Sequence, residues 1–331
     1  VLYVSTQHAR EWITPEMTRR LVHHVLDGYP TDPALRDLLD RTELWFVPVA
    51  NPDGYDRTFT TDRLWRKNLR DNDGDGVITA VDGVDLNRNL PTRWGYDDEG
   101  SSPSPDSDAY RGPAPSSEPE TRALDGLMRR VGFEVLVTYH SAAELRLYGT
   151  GWQVDTPTPD DVLYEAMAGD DADPAVPGYD PDIAAELYTT NGETTEHAQE
   201  AYGTLAFTAE MATCQTASAA DPGDAFEPGA CGSVFEFPDS EPLVQAEFAK
   251  NLPFALAVAR SAQDPSHPVS VVGRAVPDFV LDPFPVSSGT PQPVAVTARR
   301  DLRDLALHYR VDGGPEQRAT VDEWAGGERY G

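Results

Sequence analysis

The sequence has very little lysine, few cysteines and no long apolar run. Only two of its 26 basic residues are lysine, whereas 56 residues are acidic, so the formal net charge is −30. Such a chain is poorly suited to bind nucleic acid or an anionic membrane, because both surfaces repel it. No apolar run approaches the length of about 18 residues that is typical of a transmembrane helix.

Cysteine is limited to Cys214 and Cys231, which flank a loop rich in Pro, Gly and Asp. An even number of cysteines around one loop favours a disulfide over two free thiols, and a disulfide requires an oxidising compartment. We therefore expect a secreted protein. The apolar run that starts at Val1 and the last residues, which stop in mid-pattern, lead us to expect a piece of a longer chain. A signal peptide and any propeptide would then lie outside it.

The length of 331 residues is enough for one large α/β domain and part of a second domain. Apolar residues make up 39% of the sequence, which is compatible with a packed core and argues against disorder.

The segment from Thr6 to Met17 carries the first candidate site. It follows the apolar run at residues 1–4, which predicts a strand, and precedes a helical pattern for which Thr14 is the expected N-cap. His8 and Glu11 therefore lie on the loop after a strand, where open α/β sheets bind ligands. A histidine and a carboxylate at this spacing can bind one metal ion.

A second histidine, His140, completes a possible zinc site. It ends the run from Val135 to Tyr139, which is almost wholly apolar, as expected of a strand buried on both faces. Zinc in catalytic sites accepts two His and one Glu and keeps a position for water. We assign surface or packing roles to the other histidines, which are His23, His24, His197, His267 and His308.

Several longer motifs occur in the order of a known family. They are His-Ala-Arg-Glu-Trp-Ile-Thr from His8, Asn51-Pro52-Asp53-Gly54-Tyr55, Arg63-Leu64-Trp65-Arg66-Lys67-Asn68, Asp85-Leu86-Asn87-Arg88-Asn89, His140-Ser141, Tyr188 and Glu210. From residue 1 to about residue 260 the chain resembles the zinc metallocarboxypeptidases of the carboxypeptidase A type. Its pattern is most similar to the bacterial carboxypeptidase T branch.

The resemblance implies an α/β fold with a mixed, mostly parallel central sheet flanked by helices, with the N-terminal part of the fold missing. Residues 1–263 would form the catalytic domain. Residues 264–331 would begin a β-sandwich accessory domain, since short β-type runs at 269–272, 294–298 and 305–311 alternate with Pro/Gly/Ser turns.

The resemblance also implies roles for the reacting groups. His8, Glu11 and His140 would hold one catalytic zinc ion, Glu210 would act as general base, and Arg66 would stabilise the oxyanion.

The resemblance implies roles for four further residues, three in substrate recognition and one in support of a zinc ligand. Arg88, aided by Asn87, would grip the C-terminal carboxylate of the substrate, and the Tyr188 hydroxyl would close over it. Asp85 would accept a hydrogen bond from the non-ligating nitrogen of His8 and so fix its tautomer.

The remaining substrate contacts are assigned less directly. Arg10 either contacts the substrate further up the chain or forms a plain salt bridge. Thr195 occupies the position that distinguishes hydrophobic from basic substrates in the family, and Glu193 places a carboxylate nearby. These residues predict release of hydrophobic and basic residues. Ala142 stands where many relatives carry Tyr, so one aromatic contact is lost.

Residues 71–82 match a calcium loop of the EF-hand type. Acidic side chains at Asp71, Asp73, Asp75 and Asp82, with the Val77 carbonyl, supply the ligand positions. Asp82 is one carbon shorter than the usual glutamate. The sequence is compatible with two interpretations of this loop: a site for a structural calcium ion and an acidic turn exposed to solvent.

Three elements are also predicted from local patterns. A buried strand is expected over residues 44–50, a turn over residues 51–54, and a helix after residue 117, with Ser117 and Glu120 forming a capping box.

The sequence therefore predicts a monomeric, zinc-dependent exopeptidase that removes the C-terminal residue from peptides or proteins. One alternative keeps zinc but acts on cell-wall peptides or N-acyl amino acids. Another is a non-catalytic binding protein, which would be expected to lose a zinc ligand or the base. Retention of Asn87, Arg88 and Tyr188 favours the exopeptidase.

Overall fold

The computed structural model describes residues 1–220, 228–283, 294–299, 306–320, 324–326 and 329–330. The helices are α1 Ile13–Gly28, α2 Pro33–Arg41, α3 Pro52–Thr60, α4 Pro119–Val131, α5 Asp161–Ala168, α6 Ala184–Leu187, α7 Thr194–Tyr202, α8 Cys214–Ala220 and α9 Glu241–Ser261, with 3-10 turns at Leu86–Arg88 and Pro228–Ala230. The strands are β1 Leu2–Ser5, β2 Trp45–Val47, β3 Val135–Ser141, β4 Leu145–Tyr148, β5 Gly169–Asp170, β6 Asp173–Pro174, β7 Asp180–Ile183, β8 Leu205–Met211, β9 Phe279–Leu281, β10 Val296–Ala298, β11 Ala306–Tyr309, β12 Gln317–Thr320, β13 Trp324–Gly326 and β14 Arg329–Tyr330.

Six strands form the central sheet in the order β2-β1-β3-β8-β4-β7. Neighbouring strands are parallel except for β4 and β8, which are antiparallel. The prediction of a mixed, mostly parallel sheet flanked by helices is therefore confirmed.

The core lies on both faces of this sheet because alternate residues of each strand point to opposite sides. On one face, Tyr3, Val137 and Phe207 pack with α1 and α9. On the other face, Leu136 and Ala206 pack with α4 and α7. Strands β3 and β8 are central and buried, so their carboxyl ends hold side chains in fixed positions beside each other.

The strand expected over residues 44–50 is shorter and less buried than predicted. Only Trp45–Val47 is a strand, and it pairs with β1 alone at the edge of the sheet. Its partly exposed residues reflect this edge position.

Three local predictions at helix starts are wrong. Helix α1 begins at Ile13, and Thr14 lies inside it, where its hydroxyl donates to the Glu11 carbonyl at 2.9 Å. The expected turn at residues 51–54 opens α3, with Asn51 as its cap accepting from the Gly54 N–H at 3.1 Å. Helix α4 follows Glu118 without a side-chain cap, because the Ser117 hydroxyl instead donates to the Glu118 carboxylate at 2.6 Å.

The C-terminal region contains a four-stranded sheet in the order β13-β14-β10-β9 and the separate hairpin β11–β12. Residues 269–272 do not form a strand, whereas β10 lies within residues 294–298. Strand β11 covers part of residues 305–311, of which residue 305 lies outside the described residues. That this region begins a β-sandwich domain stays a prediction. Within the described ranges, no helix is both long and apolar enough to cross a membrane.

Candidate active site

Three predicted metal ligands meet at the carboxyl edge of the central sheet. His8 and Glu11 lie on the loop between β1 and α1, and His140 lies near the end of β3. One ligand atom from each residue lies within 4.8 Å of the others, and all three residues are buried. The His8 Nδ1 is 2.8 Å from Glu11 Oε1, and the His140 Nδ1 is 3.2 Å from Glu11 Oε2 and 3.0 Å from the His8 Nδ1.

The outer contacts of the two imidazoles determine which nitrogens carry hydrogen. His8 Nε2 lies 3.1 Å from Asp85 Oδ1, which can only accept, so this nitrogen is the donor. Thr138 donates its hydroxyl hydrogen to Gln7 Oε1 at 3.0 Å and therefore accepts from His140 Nε2, 3.1 Å away. The neutral rings then turn the lone pairs of both Nδ1 atoms toward the carboxylate of Glu11.

Three electron-pair donors that face one another in a buried site require a positive charge between them. Burial alone would lower the pKa of His140, but the Glu11 carboxylate raises it above the ordinary value. Two imidazole nitrogens and one carboxylate are the donor set of catalytic zinc sites. The residues present therefore fit a zinc ion.

Glu210 lies next to this cluster. It is paired with His140 in the parallel register of β3 and β8, so both side chains emerge at the same level of the sheet. Burial raises the pKa of the Glu210 carboxyl to about 7, despite the opposing effect of His140. A carboxyl with a pKa in this range can exchange a proton near neutral pH.

Arg66 lies beside the ligands, against Asp85. Its Nε and Nη2 donate to Asp85 Oδ2 at 3.0 and 2.7 Å, and its Nη1 is 4.0 Å from Glu11 Oε1. Burial works against ionisation of Asp85, but Arg66 and then His8 hold its pKa well below the usual range. Asp85 thus connects Arg66 with the first metal ligand.

Arg88, Asn87 and Tyr188 also meet in this region. The Arg88 guanidinium donates to the Tyr188 hydroxyl at 3.1 Å, to the Asn87 carbonyl at 2.7 Å and to the Gly100 carbonyl at 2.5 Å. The Asn87 side-chain oxygen accepts from the Thr194 N–H and hydroxyl at 2.9 and 2.7 Å, which leaves its amide group to face the cavity.

These groups line one cavity of about 230 Å³. Its lining residues are His8, Glu11, Arg66, Asn87, Arg88, Ser141, Ala142, Ala143, Leu147, Ala184, Leu187, Tyr188, Thr190, Glu193, Thr195, Thr208, Glu210 and Phe235. The structure therefore brings the predicted reacting groups, the predicted carboxylate clamp and the predicted specificity residues around a single space.

Glu193 has a second function that its sequence position did not reveal. Its carboxylate caps α7, accepting from the Thr195 N–H and hydroxyl at 2.7 Å each and from the Glu196 N–H. Glu193 is also one of the residues that line the cavity. Helix capping therefore fixes its position at the wall of the pocket.

Arg10 does not line the cavity. Its guanidinium lies 3.0 Å from the Asp108 carboxylate and stacks on the ring of Phe235, 4.0 Å from the ring centre. This arrangement corresponds to the structural alternative, and it supports Phe235 at the cavity wall.

Several residues contribute to the site without a signal in the sequence. Gln7 and Thr138 set the tautomer of His140 through hydrogen bonds that join distant segments. Phe235 reaches the cavity from a Pro/Gly-rich stretch whose composition predicts only loop. No spacing signal connects these residues with the metal ligands, although Gln7 and Thr138 are near them in sequence.

The candidate calcium loop brings three of its carboxylates together. One oxygen each of Asp71, Asp73 and Asp82 lies within 4.8 Å of the others. Asp75 is outside this group and accepts from the Val77 N–H at 2.7 Å. Asp82 is buried and accepts from Asn72 N–H and Thr79 N–H at 2.8 Å each, so backbone bonds already hold the loop closed.

Cys214 and Cys231 form a disulfide with a Cα–Cα distance of 5.8 Å. The predicted disulfide is confirmed.

Comparison with known proteins agrees with this geometry. A family model described as zinc carboxypeptidase matches residues 1–230. A metallocarboxypeptidase A-like protein of Trichophyton verrucosum is 34% identical over 221 residues, covering 64% of this chain and 50% of the relative. Carboxypeptidase A2 of Rattus norvegicus is 36% identical over 151 residues, covering 45% of this chain and 35% of the relative. The chain spans about half the length, or less, of these relatives.

Solved structures show the same fold. Carboxypeptidase A of Helicoverpa armigera matches with a TM-score of 0.59 and 25% identity, covering 80% of this chain and 62% of that chain. Thrombin activatable fibrinolysis inhibitor matches with a TM-score of 0.62 and 23% identity, covering 79% of this chain and 64% of that chain.

Proposed function

The chain belongs to the zinc carboxypeptidase family, and from this premise we propose that it is an exopeptidase that removes the C-terminal residue of peptides. The observation that carries the proposal is that a three-donor metal cluster, the carboxyl of Glu210 and the guanidinium of Arg88 meet in one cavity. Each part is suited to one requirement of C-terminal peptide hydrolysis.

His8, Glu11 and His140 are the proposed zinc ligands. Bound zinc would lower the pKa of a water molecule and polarise the scissile carbonyl. Asp85 keeps the His8 tautomer that presents a lone pair to the metal, and Thr138 does the same for His140.

Glu210 is the proposed general base. Its ionised carboxylate would take the proton of the attacking water, and the resulting carboxyl would deliver that proton to the leaving amine. Arg66 is the proposed oxyanion partner. The Asp85 carboxylate holds its guanidinium in place, so little reorganisation is needed when negative charge develops on the substrate oxygen.

Arg88, Asn87 and Tyr188 are the proposed recognition group for the free C-terminus. A guanidinium can donate two parallel hydrogen bonds to a carboxylate, and the Asn87 amide can add a third. A peptide whose C-terminus is amidated lacks the charge that these donors require, so it should be a poor substrate.

The proposed specificity is mixed, as in the carboxypeptidase T branch. The pocket wall combines Leu147, Ala184 and Leu187 with the carboxylate of Glu193 and the hydroxyl of Thr195. Apolar side chains would contact the first group, and a Lys or Arg side chain would reach the Glu193 carboxylate.

Two further proposals concern the setting of the enzyme. We propose secretion, which the disulfide supports, since such bonds persist in oxidising compartments.

We also propose that residues 71–82 bind a structural calcium ion, which the convergence of three carboxylates supports. A calcium-dependent rise in melting temperature that is lost in Asp71→Asn would support this site, and no rise in the native protein would refute it.

The function can be tested with matched peptides that end in Phe, Leu, Arg or Glu. Each would be offered as free acid and as amide, before and after chelation of the metal and re-addition of zinc. We expect single-residue release from the free acids ending in Phe, Leu and Arg, loss of activity on chelation, and recovery with zinc. Equal cleavage of amides, or activity that survives metal removal, would contradict the proposal.

A further inference from the structure

Asn191 is a buried side chain just outside the cavity, and all of its hydrogen bonds end on one segment. Its amide group donates to Asp97 Oδ1 at 2.9 Å and to the Glu99 carbonyl at 3.0 Å. Its side-chain oxygen accepts from the Ser101 hydroxyl. Only 2% of Asn191 is exposed. A buried amide loses free energy when either N–H is left unpaired, so these contacts help to fix residues 97–101. Arg111 adds hydrogen bonds to the Asp97 carbonyl and the Ser101 hydroxyl at 2.9 and 3.2 Å.

The fixed segment contains Gly100, which contacts Arg88 directly. The Gly100 carbonyl accepts from Arg88 Nε at 2.5 Å. Gly100 has φ +67°, and a Cβ at this position would lie 1.7 Å from the Thr189 carbonyl oxygen. Residues 97–101 therefore pass so close to the chain before Asn191 that only glycine fits at this point.

The contacts of Arg88 show what the Gly100 carbonyl does. Nη1 donates to the Asn87 carbonyl at 2.7 Å and Nη2 to the Tyr188 hydroxyl at 3.1 Å, and each of these nitrogens keeps one further N–H. The Asn87 carbonyl is adjacent in the chain, and Tyr188 is 49% exposed. The Gly100 carbonyl is thus a main-chain anchor from another segment that sets the orientation of the guanidinium plane.

We propose that Asn191 is a positioning residue for Arg88: it holds residues 97–101 so that the Gly100 carbonyl orients the guanidinium for the substrate's terminal carboxylate. Asn191 does not line the cavity, so it acts without touching the substrate. This inference rests on the proposed role of Arg88. Asn191 would control the affinity for the free C-terminus indirectly, through the position of Arg88.

The decisive variant is Asn191→Asp in the zinc-loaded chain. Aspartate has the same size and keeps the acceptor for Ser101, but it points an oxygen at the Asp97 carboxylate and the Glu99 carbonyl. The segment should move away, and Arg88 should lose its alignment. We expect KM for a peptide with a free C-terminus to rise about ten-fold or more, while kcat changes less than about three-fold, because binding is lost without loss of the reacting groups.

Binding should be measured separately by calorimetric titration with 3-phenylpropionate, a carboxylate with no scissile bond. Its Kd should rise by the same factor as KM in Asn191→Asp. In the Arg88→Ala background, Asn191→Asp should cause no further loss of affinity, because the effect passes through the guanidinium.

Asn251→Ala is the matched control. Asn251 is 1% exposed and does not line the cavity. It hydrogen-bonds to Glu247 within α9, donates to the Tyr179 hydroxyl and accepts from Arg146. This variant should lower the melting temperature but leave KM and the Kd for 3-phenylpropionate unchanged.

The outcomes separate the inference from the function on which it rests. If the native chain neither cleaves peptides nor binds 3-phenylpropionate, the proposed function fails and the inference with it. If the native chain does both and Asn191→Asp keeps native KM and Kd, the positioning role is wrong. Equal losses from Asn191→Asp with and without Arg88 would also overturn it.

Discussion

Replacement of Asp85 by Asn tests how strongly one carboxylate supports both the metal site and Arg66. Asp85 is fully buried and accepts from His8 Nε2 at 3.1 Å, from Arg66 at 3.0 and 2.7 Å and from the Asn87 N–H at 2.9 Å. Asparagine has the same shape but offers one oxygen in place of two. Its amide group must therefore face either the Arg66 donors or the His8 donor.

The expected losses are large. Removing one partner of a buried ion pair costs about 3–5 kcal/mol, since the other charge stays buried without compensation. Loss of the hydrogen-bond partner of a metal-binding histidine weakens metal affinity about 10–100-fold, or about 1.4–2.7 kcal/mol. Because the folded pKa of Asp85 is depressed, its stabilising effect is present above the ordinary carboxyl pKa and is lost on acidification. The stability difference between Asp85→Asn and the native chain should therefore shrink as the pH falls.

Zinc affinity would be measured by competition with a chromophoric chelator, and stability by denaturant unfolding at several pH values. Asp125→Asn is the matched control, since Asp125 pairs with His197 Nε2 at 2.9 Å and does not line the cavity. The control should lose stability without losing zinc affinity. Native zinc affinity in Asp85→Asn, together with native stability at pH 7, would refute the reasoning.

Three further predictions concern single glutamates. Glu193→Gln should reduce the cleavage of peptides that end in Arg about ten-fold relative to peptides that end in Leu, because the carboxylate proposed to bind Arg is lost. An unchanged ratio of the two kcat/KM values would contradict the assignment. Glu210→Gln should lower kcat by about 10²–10⁴ while zinc stays bound, as expected for loss of a general base; a native kcat would exclude that role. Burial and then Glu193 raise the pKa of Glu196 to about 9, so the folded state keeps a proton that the unfolded chain releases above about pH 4.5. Stability is therefore lost as the pH rises between these values. Glu196→Gln should raise the melting temperature at pH 8 but not at pH 4. A lower melting temperature of this variant at pH 8 would contradict the prediction.

Features that depend on buried parallel strands could be anticipated from the sequence. The apolar run from Val135 to Tyr139 predicts the central strand β3, and the carboxyl ends of parallel strands lie at one edge of a sheet. The approach of His140 to His8 and Glu11 follows from that topology, although the residues are far apart in the chain.

Features that depend on position within the sheet or on long-range hydrogen bonds could not be read from the sequence. Residues 44–50 are as apolar as a central strand, but only the sheet order reveals that Trp45–Val47 lies at the edge. Thr14 and Asn51 are both good caps by residue type, and tertiary contacts determine that only Asn51 is used. Thr138 bonds both to Gln7, which is 131 residues away in the sequence, and to His140. A hydrogen bond between residues so far apart produces no local sequence pattern.

The most direct test of the metal centre is the zinc content of the purified chain beside its activity on a peptide with a free C-terminus. The proposed metal centre requires one zinc ion per chain and activity that one equivalent of zinc restores to the metal-free protein. Since His140 Nδ1 lies 3.0 Å from His8 Nδ1, His140→Ala should lose both the zinc ion and the activity. Full peptide release by His140→Ala, or by a native chain that holds no metal, would contradict it.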